Sequence, residues 1–166
     1  SDLTPAMLRS AHIVYVGLLS GMKVLAPVVF ENSRFAIGNS FDELVDQQTG
    51  RNYVSQAGSL SETKTTYIDY GYVSARTTQD GNEIVIIAGT RDVALLHLSE
   101  ALTQPASLDA ISKQIIKPQD FEALYSVTAL GRSNLGGELL LTHPLSEPIG
   151  NQSQTDAVTS VNSITH

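Results

Sequence analysis

Residues 81–102 read GNEIVIIAGTRDVALLHLSEAL, and the reading of this stretch decides the fold. EIVIIAG is apolar and β-branched at almost every position, as expected of a buried strand. It breaks at Gly89-Thr90-Arg91-Asp92. Over 91–103 the period changes, and Val93, Leu95, Leu96, Leu98 and Leu102 give the wide apolar surface of a helix packed on a sheet. Upstream, Gln79-Asp80-Gly81-Asn82 separates this strand from the partly alternating segment 66–78. Asp-Gly between two strands is a strong hairpin signal, so strands 66–78 and 83–88 are expected to be antiparallel neighbours.

Working outward, LTPAMLRS carries a helix start, with Thr4 as N-cap and Pro5 at the first helical position. AHIVYVG (11–17) reads as a buried strand ending at Gly17. Ser20 and Gly21 then form a turn, followed by a short helix to about Phe30 that Pro27 keeps from being long. RFAIG (34–38) is a second strand. In NSFDELVDQQTGR, Ser40 stands three residues before Glu43, which predicts a capped helix stopped by Gly50. RNYVSQA (51–57) is a third strand. Ser107 caps a further helix to about Ile116 that Pro118 ends. FEALYSVTAL and ELLLTHPL, joined by GRSNLGG, read as a closing hairpin. The expected fold is α/β, a three-layer Rossmann-like domain with a mixed sheet and antiparallel hairpins. Residues 1–145 form one domain, and 146–166 are a polar C-terminal tail.

Composition narrows the function classes. With 42% hydrophobic and 16% charged residues, the 166-residue chain has the makeup of a soluble globular domain. The formal charge is −7 and the ten basic residues are scattered, which argues against direct nucleic acid contact by this chain. There is no cysteine, which removes disulfides, thiolate nucleophiles and Cys-ligated metals and fits a cytoplasmic location. No apolar run reaches the roughly 18 residues of a membrane span. The chain opens at Ser1 without an initiator Met, as a piece of a longer protein would.

In an α/β sheet, ligands bind beyond the carboxyl ends of the strands. Two such ends carry suitable residues: Gly17, Leu18 and Ser20 after the first, and Gly89, Thr90 and Arg91 after the most apolar. Gly89 permits a tight turn or a close ligand approach. The first-turn N–H groups attract an anion that Arg91 would strengthen, whereas Asp92 opposes it. The plainer reading is a helix start capped by Thr90, with Arg91 and Asp92 as a surface pair. No Gly-x-Gly-x-x-Gly and no Gly-Lys-Ser/Thr is present, so no nucleotide cofactor is implied. Asp69 lies between Tyr67, Tyr70 and Tyr72. Alternation sets Tyr70 and Tyr72 on one face with Ser74, and Asp69 with Tyr67 and Val73 on the other. Asp69 and Tyr70 are thus outer candidates for a pocket, or Asp69 is a buried carboxylate bonded to backbone N–H groups. Asp42, Glu43 and Asp46 read as a solvated helix face. His12, His97, His143 and His166 have no metal-ligand spacing. His97, sharing a face with Val93 and Ala101, reads as a partly buried, hydrogen-bonded histidine.

Four stretches, LTPAMLRSAHIVYVGLLSG, FDELVDQQTGRNYVS, DYGYVSARTTQDGNEIVIIAGTRD and FEALYSVTALG with ELLLTHP, resemble a bacterial α/β domain. That domain is found C-terminal to helix-turn-helix or winged-helix segments of transcriptional regulators. The resemblance covers roughly residues 2 to 145 and carries no catalytic residues. It implies a sensing or effector module, with DNA contact left to a segment outside this chain. With the α/β layout and the lack of a catalytic constellation, the expected function is a non-enzymatic ligand-sensing or dimerisation domain, a homodimer, in which Arg91 would hold a small anionic ligand by its carboxylate or phosphate. The alternative is a small hydrolase or transferase using Ser20 or Thr90 with His97 or Asp69. A third reading is an oligomerisation domain without a small ligand.

Overall fold

The computed structural model describes Met7, residues 10–57, 65–106 and 120–145. The helix expected over 107–116, most of the one expected near the start, and the 146–166 tail lie outside the described residues. Among the described residues there are two sheets. The larger has five strands: β1 (Ile13–Leu18), β5 (Thr66–Thr77), β6 (Glu83–Gly89), β7 (Phe121–Leu130) and β8 (Ser133–Pro144), in the order β1-β6-β5-β7-β8. β1 runs parallel to β6, and every other pair is antiparallel. The smaller sheet is the antiparallel meander β2 (Phe35–Ile37), β3 (Glu43–Asp46) and β4 (Asn52–Val54). The molecule is therefore mixed α/β, with a short helix α1 (Leu25–Val29) and a longer one, α2 (Asp92–Ala101).

The expected pairing of β5 with β6 is present, from Gly71↔Gly89 to Thr77↔Glu83, and Gly81 takes a positive φ of 79° in the connecting turn. The closing hairpin is also present, but β8 begins at Ser133, so the turn is only Gly131-Arg132. Pro27 is accommodated inside α1 because it falls in the first turn, where backbone N–H groups lack intrahelical partners anyway.

Two expectations about the strands and helices fail. The helix predicted from Ser40 is instead strand β3. The Ser40 hydroxyl accepts the Asp42 N–H (3.2 Å) and its carbonyl accepts the Glu43 N–H (3.1 Å), closing a turn rather than opening a helix. Glu43 then reaches back to the Asn39 N–H (2.8 Å) and across to Asn52 Nδ2 (2.7 Å). Pairing with β2 and β4, and burial of Leu44 in the core, override the local signal. Glu43 and Asp46 are consequently buried rather than solvated. The second failure is β1, expected to be buried. It lies at a sheet edge with Val14 68% and Val16 56% exposed.

The β5 faces alternate as the sequence implies. Tyr72, with Ile84, Ile86, Ala88 and Leu124, packs against Leu19, Leu25, Val29, Phe35, Leu44 and Tyr53 of the α1 and small-sheet side. On the opposite face, Tyr67, Val73, Ala123, Tyr125, Val127 and Ala129 receive α2 through Val93, Ala94 and Leu98.

Glu122, on β7, joins the small sheet's lead-in to the large sheet. It is fully buried. It accepts hydrogen bonds from Ser33 Oγ (2.5 Å), Arg34 N–H (2.7 Å) and the Tyr72 hydroxyl (2.9 Å), with His143 Nδ1 at 3.1 Å. The buried Arg76 guanidinium stands 4.0 Å away and donates to the Glu31 carbonyl (2.5 Å). Burial, and next the neighbouring Glu122 charge, keep the Tyr72 hydroxyl protonated far above its ordinary range.

Arg34 also forms a two-pronged pair with buried Asp46, Nε to Oδ1 at 2.9 Å and Nη2 to Oδ2 at 2.6 Å. Chiefly through that bond, Asp46 is held well below the usual carboxylate range despite its burial. A carboxylate depressed in the folded state stabilises fully above its unfolded pKa of about 4, and that contribution is lost as pH falls toward the folded value. Asp46→Asn is expected to lower stability near neutral pH by roughly 2 kcal/mol. Denaturant titrations across acid pH should show a flatter stability profile below about pH 4 for the variant than for the parent chain.

Candidate functional site

The parallel pairing of β1 and β6 sets the two expected strand ends side by side, with Leu18 opposite Gly89 and Gly17 opposite Ala88. Leu18, Gly89, Thr90, Asp69 and Tyr70 are thereby gathered at one end of the sheet. The Thr90 N–H donates to the Tyr70 carbonyl (2.8 Å), and Thr90 Oγ1 accepts the Tyr70 N–H (3.1 Å).

What fills the gathering point belongs to the chain itself. Asp69 is fully buried. Its Oδ2 accepts the Ala94 N–H (3.0 Å), and its Oδ1 accepts the Tyr70 N–H (3.1 Å) and the Thr90 hydroxyl. Arg91 is the extended residue before α2 and makes no side-chain capping bond. Ala94 is therefore the third helical residue, whose N–H an N-cap side chain would ordinarily receive. Asp69 performs that task from the neighbouring strand, so Thr90 is not the cap. A carboxylate already occupies the positive end of the helix, where an anionic ligand was expected.

The glycines are closed in the same way. A Cβ on Gly89 would lie 2.5 Å from the Arg91 carbonyl oxygen and 2.6 Å from the Leu95 nitrogen. Its missing side chain admits the chain's own helix rather than a ligand. On the β1 side, the Tyr15 hydroxyl donates to the Leu18 carbonyl (2.6 Å) and lies where a Cβ of Gly17 or Gly21 would be. Ser20 sits exposed in a single 3-10 turn. Tyr70 points to the other side of the sheet from Asp69, where its ring meets Tyr53 at 5.4 Å. The eight expected residues are thus neighbours only in part, and the sheet divides them.

Arg91 turns outward. Its guanidinium pairs with Asp42, not with Asp92 as expected. It lines a cleft of about 440 Å³ with Ala57, Tyr67, Val93, Leu96 and Arg132, while Asp92 and Gly131 complete the wall. The Tyr67 hydroxyl donates to the Gly131 carbonyl (2.6 Å), fixing the β7–β8 turn that carries Arg132. Among the described residues Arg132 forms no salt bridge. Arg91 is the only member of the expected set on this cleft. The Arg132 side sits in a turn reached through pairing with β5, and only the isolated Arg in GRSN hinted at it.

The hydrolase constellation is not assembled at an accessible place. Thr90 does have a base at hydrogen-bond distance in Asp69, but Thr90 is 2% and Asp69 0% exposed. His97 lies elsewhere, on a second cleft of about 530 Å³ with Glu100, Tyr125, Asn134 and Leu139. Asn134 Nδ2 bridges His97 Nδ1 (3.1 Å) and Glu100 Oε2 (3.2 Å), so His97 is hydrogen-bonded and partly buried as its pattern implied. Among the described residues no cluster of His, Asp or Glu could hold a metal ion, and no helix is long and apolar enough to cross a membrane.

Comparison of the chain with protein-family models, curated proteins and solved structures found no match.

Asp69 carries three hydrogen bonds without solvent access, so Asp69→Ala is expected to destabilise the fold by about 3 kcal/mol, by leaving buried donors unpaired. Thermal and urea unfolding measure the loss. The α2 amides Val93 to Leu95 should lose hydrogen-exchange protection more than those of β7.

Proposed function

We propose that this chain is a non-enzymatic binding domain for a small anionic ligand, held at the cleft between the start of α2 and the β7–β8 turn. One observation carries the reading: Arg91 and Arg132 line the same cleft, against an apolar wall of Tyr67, Val93 and Leu96. Such a mix of apolar lining with a few charged groups suits a small molecule bearing a carboxylate or phosphate. The overall charge of −7 repels an anion at long range, so binding there rests on the local field of the two arginines. Arg132 supplies the first contact, and Arg91 exchanges its exposed Asp42 partner for the ligand. Binding there draws on α2, whose start is pinned to β5 by Asp69. The ligand's charge is thereby coupled to the helix orientation.

The regulator context, an effector module beside a DNA-binding segment, comes from the sequence resemblance alone and forms part of the proposal. The cytoplasmic location, read from the lack of cysteine, is likewise part of the proposal. The three-layer Rossmann-like description goes with it, supported by the β1–β6 parallel pair, by α2 directly after β6, and by α1 and the small sheet on the opposite face. Binding is favoured over catalysis because Thr90 and Asp69 are enclosed whereas the arginine cleft is open.

The test is calorimetric titration with succinate and with inorganic phosphate, at an ionic strength held constant with chloride. One of these anions is expected to bind, and Arg132→Ala should weaken it roughly tenfold or more. Arg91→Ala should have a smaller effect, because its loss also releases Asp42. Equal affinity of the parent chain and the double variant for both anions would overturn the assignment.

A further inference from the structure

The two outer strands of the large sheet are treated differently by the chain. β8 is blunted. Its register against β7 shifts twice, between Leu124 and Tyr125 and between Thr128 and Ala129, leaving Leu140 and Leu135 as extra residues without a β7 partner. Gly136 adds a φ of 136°. Bulges of this kind twist an edge and interrupt any further pairing. β1 has none of these devices. Its six residues, IVYVGL, contain no charge and no proline and pair with β6 in unbroken register. Among the described residues nothing pairs with its other side.

The composition of β1 is that of a strand covered on both faces, yet Val14 and Val16 are the two most exposed large apolar residues among those described, at 68% and 56%. They share the α2 face of the sheet, beside Val85 and Ile87 of β6. α2 lies mainly over β5, β6, β7 and β8, and does not shield the valines. An exposed, uncharged edge in unbroken register presents unpaired backbone groups as a template for another strand.

We infer that the β1 edge is a self-pairing surface whose partner is a second copy of this chain, joined antiparallel about a two-fold axis near Tyr15. The strand is self-complementary in that arrangement. With Tyr15 opposite its own copy, Val14 of each protomer faces Val16 of the other, so four valines form one apolar cluster on the α2 face. The outward-facing backbone groups of each β1 find partners, and two five-stranded sheets become one of ten. No charge on either strand opposes the approach, although the whole chain carries −7. This inference is independent of the arginine cleft, which lies at the start of α2.

The test is sedimentation: analytical ultracentrifugation of the full chain from micromolar to submillimolar concentration, with circular dichroism confirming the fold of each variant. The parent chain is expected to show twice the monomer mass. V14K/V16K sets like charges opposite one another and should weaken dimerisation roughly tenfold or more. V14E/V16K keeps two charged side chains per strand but faces Glu with Lys across the axis, and should restore the dimer. L135K/L140K, on the blunted edge, should leave it unchanged. A parent chain that stays monomeric throughout would overturn the inference. So would a dimer indifferent to V14K/V16K, or one abolished by L135K/L140K instead.

Discussion

A buried carboxylate is tolerable only when its oxygens are supplied with donors, and Glu122 imposes that condition on much of this molecule. Ser33 and Arg34 come from the approach to the small sheet, Tyr72 from β5 and His143 from β8, and all of them must converge on β7. Leaving any one donor out would expose the cost of an unsatisfied buried charge, several kilocalories in a low-dielectric interior. The aromatic packing obeys the same geometry. The Tyr72 hydroxyl can reach Glu122 only if its ring sits between Phe30 and Phe35, at centroid distances of 5.1 and 6.1 Å. Arg76 adds positive charge near Glu122. Its Nε and Nη2 are buried there without a hydrogen-bond partner among the described residues.

Asp69 works by the same rule on the other face. Strand β5 thus presents Tyr72 toward one carboxylate at the small-sheet side and supplies another carboxylate to α2. The consequence for function is direct. An α/β strand end with a glycine elbow offers a free helix N-terminus, and here a side chain from the neighbouring strand has taken it. The cleft we propose for a ligand lies further out at the rim, where Arg91 and Arg132 meet apolar side chains. Burial separates the two roles: Asp69 holds the helix, and the arginines face solvent.

Several features were legible in the chain. Asp80-Gly81 marked the β5–β6 hairpin, the change of period after Gly89 marked α2, and β5 alternation correctly placed Asp69 opposite Tyr70. Each rests on residues within a few positions of one another. The capping-box reading of Ser40 and Glu43 failed although its residues were real, because a three-residue signal is weak beside two strand partners and a buried leucine. β1 misled in another way. Its composition reports that it is covered, but not by what, and among the described residues nothing covers Val14 and Val16.

By itself, the sequence determined the β5–β6 hairpin, the start of α2 and the alternation of β5, since backbone sterics and hydrophobic periodicity act over a few residues. Only the tertiary structure decided where the charges go. Asp69 meets Ala94 across 25 positions, and Ser33 meets Glu122 across 89. No periodicity encodes such pairings, because the desolvation that enforces them arises only once distant segments have enclosed the same space.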